Sequence, residues 1–188
     1  SPFDGILNPL IVANPMERLS PPSDRVDLWH ARPDDLAGGA ARDRALRLLA
    51  PEELGRLEQF RQPKDRLLYL AGKALTRIAL SHYADVPPKD WRFVVGSHGK
   101  PRLNEPGTRE LGALSFNLSH TRGLVAVAVS RAEEVGVDVE DASRSVSLDV
   151  ARRFFSAAEC EQLASVPAAD QPRAFLAFWT LKEAYIKA

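Results

Sequence analysis

Residues 124–140 read Leu124-Val125-Ala126-Val127-Ala128-Val129-Ser130-Arg131-Ala132-Glu133-Glu134-Val135-Gly136-Val137-Asp138-Val139-Glu140, two β-type runs split by a short polar connector. Side chains of an extended chain alternate faces, so the second run, expected as a strand over 135–139, puts three valines on one side and Gly136, Asp138 and Glu140 on the other. A third β-type run, 114–118, precedes them across the polar stretch 119–123. Three such runs in close succession predict a sheet of short strands. Working outward, Val26, Leu28 and His30 alternate as a short strand, 91–95 reads as another, and 96–100 as a turn. Helical signals flank the strands on both sides. Pro51-Glu52-Glu53 opens one helix, and over 64–83 Leu67, Ala71, Ala74, Leu75, Ile78 and Ala79 recur at helical spacing, beside a second stripe of Arg66, Leu70, Lys73 and Arg77. Pro87-Pro88 ends that helix. Further helices are expected over about 148–155, over 157–165 behind a Ser156 N-cap, and from 171 onward. The fold class is therefore mixed α+β (α/β), with an extended proline-rich tail over 1–24, an N-terminal α/β half over 25–108 and a C-terminal α/β half over 109–188, joined near Pro106-Gly107. The chain begins without Met and stops at Ala188 inside what reads as an unfinished helix, so the second half is expected to be truncated.

Composition narrows the function classes. Among 188 residues, 25 Lys and Arg balance 25 Asp and Glu, so no bulk field steers the protein toward nucleic acid or an anionic membrane, and an anionic ligand must be held by a local cluster. There is no run of eighteen apolar residues and no cationic, apolar leader, which predicts a cytoplasmic protein without a membrane partner, expected as a monomer. A single cysteine, Cys160, and four scattered histidines give neither a disulfide framework nor a zinc-site spacing.

Three segments carry candidate chemistry. Asp138 and Glu140 share one face of the expected strand, and two carboxylates held that close are explained by a hard cation such as Mg²⁺ between them, or by a half-buried strand with a solvated acidic face. Phe116-Asn117-Leu118-Ser119-His120-Thr121 ends a strand before Gly123; Ser119 and His120 there are candidate donors to phosphate oxygens, or parts of a hydrogen-bonded structural loop. A Ser-His nucleophile is discounted, because adjacent residues of an extended chain point opposite ways and no nucleophile elbow is present. In the last helix, Trp179, Glu183 and Lys187 share a face at i, i+4 and i+8, which offers a third carboxylate or a plain surface ion pair. Gly72-Lys73-Ala74 and Gly99-Lys100-Pro101 both lack the glycine and hydroxyl spacing of a phosphate loop. Lys100, on its tight turn, remains with Arg56, Arg66, Lys73 and Arg77 as local positive charge or as a solvated basic face.

Taken in order, Gly99-Lys100-Pro101, Phe116-Asn117-Leu118-Ser119-His120, Val135-Gly136-Val137-Asp138-Val139-Glu140 and Trp179-Thr180-Leu181-Lys182-Glu183-Ala184-Tyr185-Ile186-Lys187, with Arg152-Arg153-Phe154-Phe155-Ser156 between the last two, resemble the signature set of the Sfp-type 4′-phosphopantetheinyl transferases. The resemblance covers about 26–188. It implies two structurally similar halves related by a pseudo-twofold axis. It also implies transfer of the phosphopantetheine arm of coenzyme A to a serine of an acyl or peptidyl carrier protein, in fatty-acid, polyketide or nonribosomal peptide synthesis, with release of adenosine 3′,5′-bisphosphate and with Mg²⁺ as cofactor. Carried over residue by residue, Asp138, Glu140 and Glu183 look like the metal carboxylates, and Ser119 and His120 like phosphate contacts. Lys100, on its Gly99-Pro101 turn, and Arg56 look like part of the nucleotide grip, with Lys73 and Arg77 as looser additions. Lys182 and Lys187 look like neutralisers of the reacting phosphates, and Glu183 like a general base kept ionised by Lys187, with Lys187 and His120 stabilising developing charge. Glu159 matches a further acidic position, but Ser156-Ala157-Ala158-Glu159 is also a capping box. Family members run on through a glycine-rich step and more strands, where nothing follows Ala188 here, and the proline-rich start has no counterpart. The alternative reading is a noncatalytic module that binds coenzyme A or a carrier protein, against which the acidic triad argues.

Overall fold

The alternation in residues 124–130 decides which elements lie on which side of the sheet. In the computed structural model, which describes residues 25–96, 99–104, 114–131, 134–145 and 147–188, strands β1 (Asp27–Ala31), β4 (Ser115–Thr121) and β5 (Leu124–Ser130) form one antiparallel sheet in the order β1-β5-β4. Val125, Val127 and Val129 of β5 face helix α3 (Pro63–Ser81), and with Trp29, Phe116, Leu70, Leu75 and Leu80 they make the larger core. Ala126 and Ala128 face the other way, and their small side chains let Val135, Val137 and Val139 pack directly on the sheet. Both faces of β5 are covered, which explains why it reads as a nearly continuous apolar run. The fold is mixed α+β, as the sequence predicts. The tail at 1–24 and the Pro106-Gly107 connection lie outside the described residues.

Helices α1 (Gly39–Leu48) and α2 (Pro51–Glu58) pack beside α3, and a hairpin of β2 (Phe93–Val95) and β3 (Pro101–Leu103) turns at Gly99, whose φ of +77° suits glycine. Helices α4 (Ala151–Phe154), α5 (Ala157–Ser165) and α6 (Gln171–Lys187) close the chain around Phe155, Leu163, Phe175 and Leu176. The expected helix at 148–155 is a 3₁₀ turn, Leu148–Val150, followed by the single turn of α4.

Four further differences from the sequence reading have physical causes. Helix α1 was not expected because it starts on Gly38-Gly39 with no side-chain cap and buries only Ala45 fully. Strand β3 was hidden because Pro101 and Arg102 give three residues no apolar alternation. Strand β4 runs on through Ser119 and His120 to Thr121, since the two-residue turn Arg122-Gly123, with Gly123 at φ +86°, keeps the ladder paired to its end. Residues 134–140, expected as a strand over 135–139, pair with no strand among the described residues, and β4 side chains take two of their backbone amides instead. The pairing of β1 with β5 also carries the first core across residue 108, the expected division between halves.

The basic stripe of α3 is structural. Arg77 is 1% exposed, and its guanidinium donates to Glu53 Oε2 at 2.9 Å and to the carbonyls of Pro88 and Trp91 at 2.8 and 3.1 Å. Lys73 stands 3.3 Å from Glu53 Oε1, and Arg66 donates to the carbonyls of Phe60 and Glu58. Glu53 in turn accepts from the Ala50 amide, so the buried pair of Glu53 and Arg77 ties α2, α3 and the 88–91 turn together. Arg77 is therefore buried, largely engaged by these partners and absent from both clefts described below, which corrects the expectation that it grips a nucleotide. Arg77→Ala is expected to cost about 3 kcal/mol in urea unfolding, because a buried carboxylate loses its main partner; a loss under about 1 kcal/mol would show that Lys73 alone compensates Glu53.

Candidate functional site

The site grows from the unpaired segment 134–140. Its backbone amides find acceptors on β4 side chains: Val137 N–H donates to Asn117 Oδ1 at 2.9 Å and Val139 N–H to Ser119 Oγ at 3.3 Å. The Lys100 ammonium donates to the Val135 carbonyl at 3.1 Å and to the Ala188 carbonyl at 2.8 Å. Gly136 lies against the end of α6, where a Cβ would sit 1.8 Å from the Ala184 carbonyl oxygen and 2.7 Å from the Ala188 nitrogen. No side chain fits there. Gly136→Ala is expected to push α6 off the segment at about 1–3 kcal/mol, the usual range for overpacking, with a matching fall in urea midpoint; an unchanged midpoint would mean that the helix end is free to yield.

These fixtures bring Asp138, Glu140, Glu183, Lys187, Ser119 and His120 to one cleft of about 440 Å³, with Trp179 and Arg144. Asp138, its side chain 6% exposed, accepts at Oδ1 from Ser119 Oγ at 3.0 Å and from the Lys187 ammonium, which also reaches Ser119 Oγ at 3.3 Å. Asp138 Oδ2 is buried without a hydrogen-bond partner among the described residues. Glu140 pairs with Arg144 at 3.1 Å, and Glu183 has neither an ion pair nor a hydrogen bond to its side chain among the described residues. The expected pairing of Lys187 with Glu183 is corrected: both lie on the inner face of α6, but the nearly buried Asp138 takes the ammonium. Arg144 was missed, because i, i+4 spacing signals a pair only on a helix and residues 140–145 form a turn instead.

A second cleft of about 580 Å³ adjoins the first at Lys187 and is lined by Gly99, Lys100, Pro101, Arg102 and Glu134. Burial, more than the nearby Arg102, draws the Lys100 ammonium below the usual lysine pKa, and Glu134 opposes the shift. Lys182 turns away from both clefts to pair with Glu159 at 2.8 Å, so it does not join Lys187 as expected. That pair and the Ser156 amide, which donates to Glu159 at 2.6 Å, hold the Glu159 carboxyl below the ordinary range. Glu159 completes the expected capping box at the start of α5. Arg56 is exposed on α2 and lines neither cleft.

The donor set suits a hard divalent cation, since Asp138, Glu140 and Glu183 offer only oxygen and Asp138 Oδ2 has no partner. Among the described residues no group of three His, Cys, Asp or Glu side chains stands close enough to hold one ion, so the implied triad is not assembled. Asp138 and Glu140 still fit, because Mg²⁺ commonly takes one or two carboxylates and completes its shell with water and phosphate.

Comparison with known proteins bears on both parts of this frame. Residues 39–132 match the family described as 4′-phosphopantetheinyl transferase, N-terminal, and 134–188 match the 4′-phosphopantetheinyl transferase superfamily. The chain is 36% identical over 167 residues to the 4′-phosphopantetheinyl transferase HetI of Nostoc sp., covering 88% of this chain and 69% of HetI. It is 35% identical over 136 residues to the 4′-phosphopantetheinyl transferase psf-1 of Bacillus pumilus, covering 72% of this chain and 55% of that protein. It is 28% identical over 145 residues to the 4′-phosphopantetheinyl transferase Sfp of Bacillus subtilis, covering 77% and 62%. The chain thus spans less than two thirds of the length of the last two.

Proposed function

The chain belongs to the 4′-phosphopantetheinyl transferase superfamily, and from that membership we propose that it transfers the 4′-phosphopantetheine arm of coenzyme A to a serine of an acyl or peptidyl carrier protein, with Mg²⁺, as a monomer in the cytoplasm. The observation that carries this reading is the cleft in which the family's acidic segment, Asp138 to Glu140, meets Glu183 and Lys187 of α6 and Ser119 and His120 of β4. Among the described residues no helix is long and apolar enough to cross a membrane.

In this reading the nucleotide end of coenzyme A takes the cleft at Gly99, Lys100 and Pro101, whose volume suits a small ligand. Its pyrophosphate then lies toward Lys187, which lines both clefts and brings a cation to the reacting phosphates. Asp138 and Glu140 are the residues that would hold the divalent ion, Asp138 through its Oδ2, unpartnered among the described residues. When bound, that ion polarises phosphate oxygens and offsets their charge. His120, exposed at the cleft, donates to a phosphate oxygen. Glu183 takes the proton of the carrier serine as its oxygen bonds the β-phosphorus. The bond from that phosphorus to the bridging oxygen breaks, and adenosine 3′,5′-bisphosphate leaves with the electron pair.

The test is mass spectrometry of an apo carrier protein incubated with this protein, coenzyme A and Mg²⁺. A carrier serine gaining phosphopantetheine is the expected result. An unmodified carrier together with measurable coenzyme A binding would favour the noncatalytic alternative, which the occupation of Asp138 by Lys187 supports.

A further inference from the structure

We infer that Asn117 is a positioning residue for the acidic segment. Together with Ser119, it fixes where Asp138 stands by standing in for a missing strand. The inference rests on the metal reading above only for its consequence at the cleft; the fastening itself is independent of any ion.

The argument starts from the period of β4. Phe116 and Leu118 pack toward α3, so Asn117 and Ser119 face the side on which residues 134–140 run. Both are buried polar side chains on a strand, which costs free energy unless they are bonded. Their acceptors are spaced by two residues, and so are the amides they take, Val137 and Val139. The match is one of register: i and i+2 on a paired strand meet i and i+2 on an unpaired one, with side-chain oxygens where a neighbouring strand would offer carbonyls. Asp138 lies between the two amides, and Ser119 also donates to its Oδ1. A segment gripped at 137 and 139 has little freedom to move 138. The other fixtures act elsewhere: Lys100 at the Val135 carbonyl and α6 against Gly136 lie upstream, the valines pack by their side chains on Ala126 and Ala128, and Lys187 holds the Asp138 carboxylate. Among the described residues, Asn117 and Ser119 are therefore what fasten the 137 and 139 amides.

Asn117 is singled out because among the described residues its Oδ1 accepts from the Val137 amide alone, whereas Ser119 also contacts Asp138 and Lys187 directly. Its role can therefore be separated from direct participation. Asn117→Asp keeps an oxygen acceptor in the same place, and Asn117→Leu keeps the approximate shape without one.

Two measurements test the inference. Hydrogen exchange on the full chain should show the Val137 amide of Asn117→Leu exchanging at least about tenfold faster, with Val127 in the β5 ladder unchanged and Asn117→Asp close to wild type. Mn²⁺ titration, used as the divalent probe, should show about tenfold or weaker binding in Asn117→Leu and recovery in Asn117→Asp, the size usual for groups that orient metal ligands. Unchanged exchange at Val137 in Asn117→Leu overturns the inference, as does faster exchange with unaltered Mn²⁺ affinity. If exchange responds as expected but wild type binds no Mn²⁺ through Asp138, the fastening stands and the metal reading fails.

Discussion

Asp138→Asn is expected to lower phosphopantetheine transfer by about 10³-fold or more while moving the urea midpoint little. The loss follows from charge. An amide is nearly the same shape, but it is a weak ligand for a hard cation and a poor partner for Lys187, and losing several kcal/mol of transition-state charge stabilisation corresponds to that factor. The small stability effect follows from burial. Lys187 keeps a third of its side chain in water and can be solvated when released. The wild-type carboxylate already carries a buried Oδ2 without a partner among the described residues, so the fold gives up no fully satisfied group. Turnover by carrier mass spectrometry, set beside urea unfolding of the same preparation, checks both halves. Turnover within tenfold of wild type would remove Asp138 from the machinery, and a collapse in stability would make it a structural residue instead.

The sequence exposes this site unevenly, and the reason lies in which bonds are local. The alternation of valines with Gly136, Asp138 and Glu140 is a property of the chain itself, so the sidedness of that segment was readable, and the three valines do pack together on Ala126 and Ala128. Whether the segment joins a ladder depends on a neighbour, and here Asn117 and Ser119 supply side-chain acceptors instead. No pattern within 135–140 announces that. The shared face of Trp179, Glu183 and Lys187 was readable from helical period, and all three line the cleft. The partner of Lys187 was not, because the choice between an i−4 glutamate and a carboxylate 49 positions away is made by tertiary burial.

The same division explains the basic residues. A stripe of Arg66, Lys73 and Arg77 reads as a charged face for lack of any local sign of burial. Glu53, a helix away in sequence, takes both Lys73 and Arg77, and the 88–91 turn supplies carbonyls to Arg77. Lys182 and Glu159 are likewise distant in sequence and paired in space, which removes Lys182 from the cleft and leaves Lys187 as the α6 lysine that faces it. Fold class and the acidic segment are therefore matters of period, whereas the assignment of each cation is a matter of which carboxylate or carbonyl the tertiary fold brings to it.

Glu183→Gln separates the jobs proposed for the remaining carboxylate. Glutamine keeps the length and an oxygen acceptor but cannot take a proton at neutral pH. Glu183 lies in the same cleft as Asp138 and Lys187, half-buried, with neither ion pair nor hydrogen bond to its side chain among the described residues, so its substitution breaks no structural contact and stability is expected to hold. As the group that accepts the serine proton, it is expected to lose about 10²- to 10⁴-fold in turnover on becoming Gln, with divalent-ion and coenzyme A affinities close to wild type. A loss recovered by raising Mg²⁺ would instead make it a ligand, drawn toward Asp138 and Glu140 when the ion binds, although no such group of three is assembled among the described residues. Full activity in Glu183→Gln at every Mg²⁺ concentration would refute both roles and return the proton to another acceptor in the cleft. Turnover measured across a Mg²⁺ titration distinguishes these outcomes, because a missing base lowers the plateau whereas a missing ligand shifts the midpoint.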